Sequence, residues 1–201
     1  MKIGILTLFA LVTVAQLEIS DNWLSNGDFT SGIDHWRGNG RAPSDYTESS
    51  LDKPDPMTTQ GLIIELKHAT WSKVEQNFHS HGGNGILSVT FKVSPDIQFS
   101  SKPEDYQNMT HAIGYDGYTS YATKPGNWVV FISDLHATSE QGSVYEIEPK
   151  AGSSNPQTVQ FMVENRTPKE EKSIALCFPP GDGKIAVLNI SITDAPDKAS
   201  Q

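Results

Sequence analysis

The sequence predicts an all-β fold, an antiparallel β-sandwich, on three observations. Apolar residues recur at every second position through most of the chain, helical periodicity is nearly absent, and turns rich in Gly, Asn and Pro separate the alternating segments. Successive side chains of a strand point to opposite faces, so alternation at period two builds sheets with one apolar face each. Such a face is stable only when covered, and many strands of this kind must stack into two layers or close into a barrel. Two stacked layers are the simplest arrangement.

The elements follow in order. Residues 61–67 place Leu62, Ile64 and Leu66 on one face. In 71–79, Val74 and Phe78 point one way, and Trp71, Lys73, Glu75, Asn77 and His79 point the other. Residues 86–93 bury Leu87, Val89, Phe91 and Val93 and turn Ser88, Thr90 and Lys92 outward. Further strands are predicted over 110–115, 127–133, 144–147, 158–163, 173–178 and 184–193. His81-Gly82-Gly83-Asn84-Gly85 and Pro179-Pro180-Gly181-Asp182-Gly183 read as hairpin turns, because Gly takes positive φ freely and Asn or Asp tolerates it. Residues 39–57 are polar and carry Pro43, Pro54 and Pro56, which predicts an irregular excursion. Residues 94–126 hold Tyr106, Tyr115, Tyr118 and Tyr121. A structureless loop of that length is uncommon in a compact domain, which is why its middle is assigned the strand at 110–115.

With 201 residues the chain suits a single core. The balance of 15 Lys and Arg against 24 Asp and Glu, a formal net charge of -9, lacks the basic footprint of a nucleic-acid binder. Cys177 is the one cysteine, so no internal disulfide forms, and its strand-like surroundings make it a small core hydrophobe. Met1-Lys2 followed by an apolar run ending at Ala15 has the layout of a secretory signal, and the run falls short of the roughly 20 residues of a bilayer span. The expected organisation is a signal peptide at 1–15, one β-sandwich domain at 16–194 and a flexible tail at 195–201. The expected product is secreted, extracellular or periplasmic, with no membrane attachment after signal cleavage.

The stretch Asn22-Trp23-Leu24-Ser25-Asn26-Gly27-Asp28-Phe29-Thr30-Ser31-Gly32-Ile33-Asp34-His35-Trp36 resembles the opening of carbohydrate-binding modules of the family 4/9/16/22 jelly-roll group: an Asn-Gly-x-Phe turn, a Gly, then a Trp. Trp71-x-x-x-x-Gln76 with the Gly-rich turn after it is similar to their second hairpin, and Val89-Thr90-Phe91-Lys92-Val93 to the strand that follows. Gly126-Asn127-Trp128 resembles a later strand start, and 183–193 the closing strand. The resemblance implies a galactose-binding-like jelly roll, no catalysis, and a polysaccharide or glycan partner bound by exposed aromatics on a concave sheet and its loops. It also implies a structural calcium held by an acid after the opening Phe and another in the final strand. Here those positions are Thr30 and Asn189, which leaves Asp28 or Glu48 to supply carboxylate. No cofactor is expected to be required, and the metal ligands stay open.

Sugar rings present C–H faces to flat aromatics and hydroxyls to a few placed polar groups. Trp71 is the candidate platform, Tyr115, Tyr118 and Tyr121 a loop-borne aromatic wall, and Gln76, Asn77 and Arg41 the hydroxyl partners. Trp128 adjoins Val130 and Ile132 and reads as core, while Trp23 and Trp36 flank the opening turn and read as structural. His79 and His81 would share a strand face, but one His-x-His does not supply the three converging ligands of a zinc site. Glu146 and Glu148 share a face, whereas Glu170 and Glu171, between Lys169 and Lys172, read as a solvated turn. There is no Gly-x-Ser-x-Gly elbow, phosphate loop or dinucleotide fingerprint, so no enzyme is expected. Three Asn-x-Ser/Thr tripeptides begin at Asn108, Asn165 and Asn189. Two alternatives remain. One is an extracellular interaction or structural sandwich without sugar affinity, marked by an apolar surface patch. The other is a polysaccharide-active jelly-roll enzyme, marked by His79, His81 and Tyr115 converging in one cleft.

Overall fold

Two five-stranded antiparallel sheets face each other across an apolar core in the computed structural model, which describes residues 22–38, 47–48, 61–68, 70–81, 83–107, 109, 122–134, 142–150, 155–164 and 170–196. In chain order the described strands are β1 (Arg37–Gly38), β2 (Thr47–Glu48), β3 (Leu62–Glu65), β4 (Ser72–His79), β5 (Gly85–Val93), β6 (Gln98–Phe99), β7 (Trp128–Asp134), β8 (Gly142–Ile147), β9 (Gln157–Val163), β10 (Glu171–Phe178), β11 (Gly181–Asp182) and β12 (Lys184–Asp194). The first sheet has the order β1-β4-β10-β7-β8 and the second β2-β3-β12-β5-β9, with β6 and β11 forming a small ribbon. The long strands fall where alternation puts them. The expected strand at 110–115 and the signal peptide at 1–15 lie outside the described residues.

Alternation explains the core directly. Leu87, Val89, Phe91 and Val93 of β5 are buried and their outward neighbours are half-exposed. From the first sheet, Val74, Phe78, Trp128, Val130, Ile174, Leu176 and Phe178 meet Leu62, Ile64, Ile185, Val187, Ile190 and Ile192 of the second. The Trp128 ring stacks on Phe178, 5.0 Å between centroids, and meets the Phe91 edge at 5.2 Å, so one side chain ties both layers together.

The two Gly-rich turns are not hairpins. β4 and β10 lie in the first sheet and β5 and β12 in the second, so β4 and β5 do not pair as a hairpin, nor do β10 and β12, and the second link carries β11 of the small ribbon. Such links and hairpins need the same permissive backbone, which is why composition does not separate them. Pairing is antiparallel as expected, but most partners are distant in sequence, such as β10 with β4 and β12 with β3.

The opening motif has a physical cause. The Asn26 side chain donates to the carbonyls of Gly32 (2.9 Å) and Asp34 (3.1 Å) and accepts from the Ser31 amide (3.0 Å), holding the turn closed. Gly27 sits against β12, its carbonyl accepting from the Ile190 amide at 2.8 Å, and a Cβ there would lie 2.0 Å from the Ile190 oxygen. Trp36 then packs on Phe29 at 5.5 Å and donates to the Asn26 carbonyl.

Candidate functional site

The face of the first sheet turned away from the core is where alternation places Lys73, Glu75, Asn77 and His79 of β4, and it differs from end to end. Cross-strand register adds Ser173, Ala175 and Cys177 of β10, Val129, Phe131 and Ser133 of β7, and Val144 and Glu146 of β8. Its middle is apolar. Val129, Phe131, Ala175 and Cys177 are fully buried there beneath Trp71, Tyr106 and Met109, which form a second apolar cluster with them.

The cover is the first part of the long excursion. A 3-10 turn at Pro103–Tyr106 lies against Trp71, whose indole Nε1 donates to the Asp105 carbonyl at 2.6 Å. Tyr106 meets that ring edge-on at 6.0 Å and donates its hydroxyl to the Ser100 carbonyl at 2.9 Å. The Thr123 amide donates to the Tyr106 carbonyl at 3.1 Å, fastening the returning chain. Burial pushes the Tyr106 phenol and the Cys177 thiol above their ordinary values, since neither charge is solvated there.

One margin of the face stays open and polar. Arg37 Nη2 donates to Asn77 Oδ1 at 3.0 Å, and Asn77 Nδ2 donates to Glu171 Oε1 at 3.4 Å, a row crossing β1, β4 and β10. Arg37, Asn77 and the neighbouring His79 are exposed and Glu171 is half-exposed. Lys73 and Glu75 pair at 2.9 Å beside it.

The opposite margin is a cleft between the edge strands β8 and β9, about 520 Å³, with Ala122, Gly142, Tyr145, Glu146, Met162 and Glu164 among its walls. Tyr145 and Phe161 close the mouth of the sandwich there, their rings 5.4 Å apart. Glu146 is held by Asn127, whose amide donates to Oε2 at 2.7 Å. Met162, 57% exposed, is the exposed large apolar side chain of the described residues.

Two expected site residues need correction. Trp71 does not offer a platform to solvent, because the 3-10 turn and Tyr106 roof it and leave it 5% exposed. Gln76 is 2% exposed and points inward with Val74 and Phe78, as period two requires, where it accepts from the Ser25 amide (2.9 Å) and donates to the Ser25 carbonyl (2.8 Å). Asn77 is exposed on the open margin. Tyr115, Tyr118, Tyr121 and Arg41 lie outside the described residues.

Histidine and carboxylate geometry also differs from the sequence picture. β4 ends at His79, so His81 leaves the strand face, packs on Trp23 at 5.5 Å and sits 3.6 Å from the Asp194 carboxylate. No three His, Cys, Asp or Glu side chains converge among the described residues. Near the opening turn Asp28 Oδ1 accepts from the Thr30 amide (3.2 Å) and hydroxyl (3.0 Å), so its carboxylate closes a local turn. Glu171 begins β10 rather than sitting in a solvated turn, and Lys172 beside it points into the sandwich. Extending the alternation of Ile174 and Leu176 back by one step would have found both.

No protein-family model matches the chain, and no curated protein matches it. Solved structures do. It is similar to a family 61 carbohydrate-binding module in complex with β-1,4-galactotriose, at TM-score 0.57 and 11% identity over 88% of this chain and 100% of that one. A family 4 carbohydrate-binding module matches at TM-score 0.50 and 15% identity over 85% of this chain and 99% of that one. The enzymatically active domain of tailspike protein 4 from bacteriophage CBA120 matches at TM-score 0.53 and 13% identity, over 86% of this chain and 21% of that one. At these identities the likeness is one of architecture, and it agrees with the strand order and antiparallel register above: the chain has the jelly-roll β-sandwich fold of carbohydrate-binding modules.

Proposed function

We propose that the protein is a secreted, non-catalytic glycan-binding module that takes its ligand along the open margin of the first sheet. The observation that carries this is the exposed row Arg37–Asn77–Glu171, held in place by cross-strand hydrogen bonds. Sugar hydroxyls both donate and accept. The row meets them with a guanidinium rich in donors, an amide and a carboxylate acceptor. Because three neighbouring strands fix it, little side-chain freedom remains to be lost on binding. The fold is shared with a module whose bound ligand is β-1,4-galactotriose, which favours a glycan over other partners.

The architecture shared with a non-catalytic carbohydrate-binding module favours binding over cleavage. Export is supported by the charged start and short apolar run at 1–15.

Calorimetric titration against a broad panel of soluble oligosaccharides tests the proposal. Binding should appear for at least one glycan, and Arg37→Ala and Asn77→Ala should each weaken it about 5- to 30-fold, the scale of one or two hydrogen bonds to a charged or amide group. Silence across the panel, or binding indifferent to both substitutions, overturns it.

A further inference from the structure

The cleft between β8 and β9 has a chemistry distinct from the open margin on the other side of the sheet. Two carboxylates, Glu146 and Glu164, line it, and no lysine or arginine is among its described wall residues. The chain as a whole carries a net charge of -9. The half-buried Tyr145 ring, braced by Phe161, and the exposed Met162 side chain share its walls. Its volume, about 520 Å³, lies in the range of small-ligand sites.

From these we propose that this cleft binds an amino sugar, a hexosamine residue with a free, protonated amine, as a second contact site on the same glycan-binding module. The proposal rests on the glycan-binding function above. The pyranose C–H face lies against Tyr145 and Met162, and the ammonium donates to the carboxylates, making charge-assisted hydrogen bonds roughly twice as strong as neutral ones. Glu146 is the better placed of the two. Asn127, itself 6% exposed, fixes Oε2 and so orients Oε1 before any ligand arrives. The same carboxylates repel uronates and sulfated sugars, so the site discriminates by rejection as well as attraction.

Packing requires the glycine in the cleft wall: the Phe131 ring approaches Gly142 so nearly that a Cβ there would lie 2.3 Å from it.

The test titrates the full chain at low salt, slightly below neutral pH, with three trisaccharides: β-1,4-glucosamine, its N-acetylated form and galacturonate. The glucosamine trimer should bind at least about tenfold tighter than the acetylated form, which lacks the charge, and galacturonate should not bind. Glu146→Gln, which keeps an acceptor for Asn127, and Glu164→Gln should each weaken glucosamine binding about fivefold or more. Both should leave the melting temperature unchanged. Equal affinity for the acetylated trimer, or indifference to both glutamine substitutions in folded protein, overturns the proposal. If neutral glycans bind in an Arg37-dependent way while the glucosamine trimer does not, only the amino-sugar site fails. If no sugar of any class binds, the underlying function fails with it.

Discussion

The indole of Trp71 is held by Asp105. Its Nε1–H donates 2.6 Å to the Asp105 carbonyl, inside a roof that Tyr106 and Met109 complete over the outer face of the first sheet. A residue that alternation turns outward is therefore a core residue of a second, smaller cluster. Trp71→Ala should lower stability by about 3–5 kcal/mol, the scale of emptying a large aromatic site. Trp71→Phe should cost less, about 1–2 kcal/mol, because most of the ring remains while the Asp105 carbonyl loses its donor. Denaturant unfolding measures both. A Trp71→Ala protein as stable as the parent would show that the roof does not hold.

Lys172 and Asp134 are opposite one another across β10 and β7, and their side chains form an ion pair inside the sandwich, 6% and 12% exposed. Taking two charges out of water costs several kcal/mol apiece, and their mutual attraction returns this only while both are present. Asp134→Leu or Lys172→Met alone should therefore cost about 3–5 kcal/mol, whereas the two together should be near neutral. The measurement is a double-mutant cycle of unfolding free energies. If the two single substitutions add, with no recovery in the pair, the charges are not compensating each other.

Lys172 also shows how far alternation carries and where it stops. The period-two pattern of β4, β5, β10 and β12 specifies the sheets and their buried faces, because that pattern is set within one strand. Which strand neighbours which is set by contacts distant in sequence. The Gly-rich links after β4 and β10 therefore look like hairpins in composition, though the strands they join belong to different sheets. The site divides the same way. Asn77 is legible as an outward polar residue of β4, but its partner Arg37 belongs to a two-residue strand too short to show a period. Trp71 is legible as outward-pointing, yet the segment that buries it is more than twenty-five residues further along, and nothing local to Trp71 signals it. Tyr145 and Met162 come to line one cleft because β8 and β9 are the edge strands of their sheets, a relationship that no spacing within either strand encodes.

The same covered face sets the response to alkaline pH. Cys177 is fully buried, and desolvation raises its thiol well above its ordinary value of 9.0. Tyr106 is raised above 10.0 by burial first, with the nearby Asp105 charge adding to it. In both cases the folded protein holds the proton more tightly than the unfolded chain does. Their contribution to stability is thus complete below the unfolded pKa values and is lost as pH rises through and beyond them. Stability should be unaffected by these groups at neutral pH and should decline from about pH 9 upward, first through the thiol and then through the phenol. Cys177→Ala removes the first of these contributions and should flatten the onset of the decline, at the cost of a small cavity. Thermal melts of parent and variant across the alkaline range measure it. Identical pH profiles for the two proteins would show that the thiol ionises as readily in the fold as in the unfolded chain, which full burial beneath Trp71 and Tyr106 forbids.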